Sequence, residues 1–122
     1  MTIAFWCILI AGTLPYVAFG FVKGLDGRQP RAGVLGLEGR SARAYGAQLN
    51  GFETFPLFAA AVIVSHVVGG PSATTNALAV LYVLLRISHM AAYIGDRQPL
   101  RSAAFTVAQL VVAAIFILSA FR

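Results

Sequence analysis

The chain has 122 residues, 59% of them hydrophobic and 11% charged, with a mean hydropathy of +0.82. That composition excludes a water-soluble globular domain and leaves room for about four bilayer crossings of roughly 20 residues each, in one domain over residues 1–122. A formal charge of +5 suggests nucleic acid, but that reading needs a solvated basic face that so apolar a chain can hardly supply. The single cysteine, Cys7, excludes an intrachain disulfide and a cysteine-only metal cluster.

The first predicted helix covers residues 2–22. Its positive residues follow the apolar run instead of preceding it, so it reads as a retained helix and not as a secretory signal. Residues 23–43 carry Lys23, Arg28, Arg31, Arg40 and Arg43 among glycines and Pro30, the composition of a solvated loop, with Val34, Leu35 and Leu37 able to dip into the headgroups. A second helix is predicted over 44–68 and stops at Gly69, Gly70 and Pro71. The third runs over 74–94, ended by Gly95, Asp96 and Pro99, and the fourth over 100–121. The segments DGRQPR (Asp26 to Arg31) and DRQPLR (Asp96 to Arg101) are alike, too briefly to establish a repeat.

Lysine and arginine resist translocation, and they crowd the loops 23–43 and 95–101 while the loop 69–75 has none. The expectation is that loops 23–43 and 95–101 face the cytoplasm and both termini face outward. The net charge then records topology.

Glu53 and Arg86 fall inside the predicted crossings, where an unpaired charge costs roughly 3 kcal/mol. At about 1.5 Å per residue both lie some 12 to 14 Å below the same surface, so they can meet within one chain or between chains. Arg86, His89 and Tyr93, spaced i, i+3, i+7, project from one helical face, as do Gly46, Asn50 and Glu53. Pro56 frees the carbonyl of Phe52 and is expected to kink the second helix and open a cleft beside Glu53. With Arg43, Arg97 and Arg101 at its mouth and Arg86 at its base, such a pocket suits a polyanion whose reactive end enters deeply. A Glu53–Arg86 pair acting only as packing glue is the competing reading. His66 has no evident partner, Cys7 has no accompanying base, and no zinc-spaced histidines or phosphate-binding glycine loop appear, so no metal site is expected.

The segment RAYGAQLNGFETFPLF (Arg43 to Phe58) resembles the helix-two signature of the MAPEG family, membrane-associated proteins in eicosanoid and glutathione metabolism. LRISHMAAY (Leu85 to Tyr93), followed by Arg101, is similar to that family's helix-three motif. The resemblance implies an all-α integral membrane protein, an up-down bundle of four transmembrane helices assembled as a homotrimer, of a short bacterial type and set in an inner membrane. It implies glutathione as co-substrate, bound between protomers near the cytoplasmic face, and a hydrophobic electrophile or lipid hydroperoxide as second substrate. Arg86 then corresponds to the arginine that holds the thiolate, with Tyr93 near the sulfur. Asn50 and Glu53 correspond to ligands of the tripeptide, His89 and Arg101 line the site, and Arg43 matches the arginine near the start of helix two. Gln48 stands where many relatives have histidine, and Ser88 where some have a large aromatic.

Two other functions compete with a glutathione-dependent transferase or peroxidase. One is a non-enzymatic membrane scaffold of the same fold. The other is a small multidrug transporter using Glu53 as its acid, against which stands the absence of an acid from the first helix.

Overall fold

A computed structural model describes all 122 residues. The elements are α1 (Ile3–Phe19), α2 (Pro30–Gly33), a 3₁₀ turn (Val34–Gly36), α3 (Gly39–Gly69), α4 (Ala73–Ile94) and α5 (Gln98–Ser119). Thr2 precedes α1, and the orphan N–H of Ala4 donates to Asn76 Oδ1 at 3.0 Å, which fastens the start of α1 to α4. Helix α3 begins before residue 44, where the glycine-rich composition had suggested loop. Gly39 at φ 56° turns the chain, and Arg40 to Arg43 continue as helix. At its other end Gly70, at φ 73°, returns its N–H to His66, and Ser72 Oγ accepts from Thr75 N to start α4. The two similar loop segments share a physical job, since Pro30 opens α2 and Pro99 sits in the first turn of α5.

Helices α3 and α4 pack against each other and each against both α1 and α5. The contacts are made by small side chains: Ala4, Cys7 and Ala11 on α1 meet Ala61, Ala79 and Ala108 in one buried cluster. Helices in lipid gain little from burying apolar surface against one another, so close approach of backbones supplies the attraction. Phe58 and Tyr82 stack at 3.9 Å between ring centres within that cluster. The outer surface carries Leu9, Ile10, Leu57, Ile63, Leu84, Leu110 and Phe116, an apolar coat suited to acyl chains. Helices α3, α4 and α5 are long and apolar enough to cross a bilayer, and α1 is a shorter apolar helix. The protein is an integral membrane bundle.

Pro56 does not produce the expected cleft beside Glu53. Helix α3 runs unbroken through it, because one missing hydrogen bond is outweighed by packing on both sides of the proline. Pro15, inside α1, has a sharper consequence: its ring lies against Gly51, where any Cβ would stand 2.8 Å from Pro15 Cγ. That contact sets the rotation of α3.

Candidate functional site

At the end of the bundle that carries most of the arginines, α4 presents His89 and Tyr93 one turn apart toward α5. Helix α5 answers with Arg101, Ser102, Phe105 and Thr106, which occupy one face at spacings i, i+1, i+4, i+5. With Asn50 from α3 they line an open cleft of about 460 Å³. The Arg101 guanidinium stacks over the Tyr93 ring at 4.8 Å, and His89 meets Tyr93 edge-on at 5.7 Å and Phe105 at 6.1 Å. Tyr93 holds this position because Gly46 has no side chain; a Cβ there would stand 2.5 Å from the tyrosine hydroxyl.

Behind the cleft lies Arg86, only 5% exposed. Its Nη2 donates to Asn50 Oδ1 at 2.7 Å. The Asn50 oxygen is thereby occupied, which leaves the amide NH₂ as the group free to donate into the cleft. Arg86 Nη1 has no hydrogen-bond partner, and neither does His89 Nδ1, although His89 is 2% exposed. A cavity of about 20 Å³ beside Arg86, shared with Pro15, Ala47, Gly51 and Tyr82, separates α1 from this pair.

The remaining expected residues fall elsewhere. Glu53 is exposed and does not meet Arg86 within the chain. Three residues beyond Asn50, it is turned about 60° around the helix axis, enough to carry its carboxylate to the outer side once Gly51 is fixed against Pro15. Arg43 Nε donates to the Ile94 carbonyl at 3.1 Å, so it satisfies the C-terminal end of α4 instead of guarding the mouth. Arg97 is exposed at the position preceding α5 and does not line the cleft. Ser102, Phe105 and Thr106 also line the cleft and were not among the expected residues; the i, i+1, i+4, i+5 spacing from Arg101 is the signal the sequence offers for them.

A model of the MAPEG family matches residues 3–121, essentially the whole chain. The chain belongs to the MAPEG family. No curated protein and no solved structure matches it. MAPEG proteins include glutathione transferases and peroxidases as well as members without enzymatic activity. The cleft offers a cation, hydroxyls and an amide donor beside an aromatic wall, a set suited to an anionic, hydrogen-bonding ligand.

Proposed function

We propose that this MAPEG protein is a glutathione-dependent membrane transferase or peroxidase acting on hydrophobic electrophiles or lipid hydroperoxides, and that it works as a homotrimer. The observation that supports this reading is the convergence of Arg101, Tyr93, His89 and Asn50 on one open cleft with buried polar donors left unpaired beside it. The acyl-facing exterior gives an apolar substrate a route from the bilayer. In this reading loops 23–43 and 95–101 face the cytoplasm, where glutathione is supplied. Neighbouring copies cover the exposed Glu53, whose carboxylate faces the ligand's amino group from the adjoining protomer.

The two arginines divide the work. Arg101 lines the cleft and stacks on Tyr93, whereas Arg86 is buried behind it, so in this reading Arg101 and not Arg86, as the resemblance implied, is the guanidinium that meets the ligand's sulfur. A positive charge beside a thiol favours the thiolate, the nucleophilic form, and the proton leaves to water. The Tyr93 hydroxyl, held by the Gly46 gap, donates to the same sulfur. The sulfur then forms a bond to an electrophilic carbon as the leaving group departs or an epoxide opens with protonation of its oxygen. With a hydroperoxide it attacks the O–O bond, and a second glutathione completes conversion to the disulfide, an alcohol and water. Arg86 is a positioning residue, acting through the hydrogen bond that orients Asn50.

An ultraviolet difference titration with glutathione tests this. Purified protein in detergent is expected to give a saturable thiolate band at neutral pH that is lost in Arg101→Gln. A scaffold gives no band in wild type with the oligomer intact by native mass spectrometry, and that result overturns the proposal.

A further inference from the structure

Pro15 has a second consequence, on α1 itself. With no N–H to donate, it leaves the carbonyl of Ala11, four residues earlier, without its helical partner. A carbonyl freed in this way near a helix surface is solvated, but Ala11 is only 6% exposed, inside a bundle with an apolar coat. Ala11 and Pro15 both line the cavity of about 20 Å³ beside Arg86.

The rest of the wall holds the matching donor. Arg86 is its charged residue, and Arg86 Nη1 is buried with no partner in the chain while Nη2 is held by Asn50. Every other wall residue is followed, four positions on, by a residue of the same helix that carries an N–H, so its carbonyl is spent within that helix. The Tyr82 hydroxyl is the remaining polar side-chain group of the wall. A free acceptor on α1 and a free donor on α4 thus share one small cavity, and leaving either unpaired in hydrocarbon is costly.

Size and pairing together select the occupant. About 20 Å³ accommodates one water molecule, for which roughly 10 to 15 Å³ is enough. Water accepts from a guanidinium and donates to a carbonyl at once. Chloride pairs with the arginine but has no proton for the carbonyl, and a metal cation suits the carbonyl but is repelled by the arginine.

We propose that this cavity binds one buried water, which accepts from Arg86 Nη1, donates to the Ala11 carbonyl and has the Tyr82 hydroxyl as its third partner. The water is then the polar link between α1 and the Arg86–Asn50 pair. It takes Nη1 on the α1 side of Arg86 and leaves His89 Nδ1 as the unpaired atom beside the cleft. All its partners belong to one chain, so the site is complete in each protomer, and no residue of its wall lines the cleft.

Structures of the detergent-purified oligomer, determined at a resolution that shows ordered waters, test this for wild type, Pro15→Val and the double variant Arg86→Met with Asn50→Leu. Valine returns an N–H to the Ala11 carbonyl while keeping bulk against Gly51, and the double variant removes the donor. Wild type is expected to show one water within hydrogen-bond distance of both Arg86 Nη1 and the Ala11 carbonyl, and each variant is expected to lose it. A wild-type cavity without that water overturns the proposal. So does an Arg86 Nη1 paired with a side chain of a neighbouring copy, or a water that persists in Pro15→Val or in the double variant. If Pro15→Val does not fold, wild type and the double variant still decide the matter. Because the readout is an ordered water, a protein without glutathione chemistry would show it equally, and failure here leaves the thiolate titration untouched.

Discussion

The two ends of the bundle are both polar, and they treat their polar groups in opposite ways. At the end away from the cleft, His66 is satisfied twice, by the Thr2 hydroxyl at 2.9 Å and the Val62 carbonyl at 2.8 Å, with the Phe5 ring against it at 4.3 Å. In the neutral ring the carbonyl fixes Nδ1 as donor, and Thr2 donates to Nε2. This corrects the expectation of an unpartnered histidine. Ser65 pairs with Thr75 at 2.9 Å, and Arg122 donates to the carbonyls of Gly69 and Gly70 at 2.7 Å each. These groups close on the chain itself. At the other end Arg86 Nη1 and His89 Nδ1 are buried without partners beside an open cleft. Polar groups in a membrane bundle are costly, so a set that closes internally serves packing, while a set left open points to a ligand.

The contrast breaks most visibly at Asn50. Asn50→Ala strips the buried Arg86 of its one partner within the chain and is expected to cost about 2 to 3 kcal/mol in thermal unfolding. The double variant Arg86→Met with Asn50→Leu should recover much of that stability while glutathione binding stays lost; a double variant as unstable as the single one argues against this pairing. Arg101→Gln should leave the melting temperature unchanged and lower turnover with an electrophile about 10²- to 10³-fold, the scale of losing one charge-stabilising group at a reacting atom. Gly46→Ala sharpens the comparison because it removes no polar group. Its methyl displaces the Tyr93 hydroxyl, for an expected loss of about 1 to 3 kcal/mol and weaker glutathione binding; unaltered affinity would remove Tyr93 from the site. Ser65→Ala, at the closed end, should cost about 1 kcal/mol and leave the glutathione titration as in wild type.

Much of the site could be read along α4, where Arg86, His89 and Tyr93 share a face by helical period alone. Tyr93 and His89 do line the cleft, and Arg86 stands one turn behind them. The expectation that Glu53 would answer Arg86 rested on depth, and depth is a property of one helix. Which side of α3 faces α4 depends on Gly51 against Pro15 and Gly46 against Tyr93, contacts between residues far apart in the chain. Within the chain, Asn50 and not Glu53 reaches the arginine for that reason.

By itself the sequence determined the solvent and the class: apolar runs of bilayer length admit only helices, and the motifs of the second and third crossings mark the family. It also determined which residues share a helical face, since that follows from 3.6 residues per turn. Only the tertiary structure decided which faces meet. That choice depends on where small residues let backbones approach, and it divides Arg86, which orients, from Arg101, which faces the cleft. It also separates the arginines that satisfy the chain, such as Arg43 and Arg122, from Arg101, whose side chain lines the cleft.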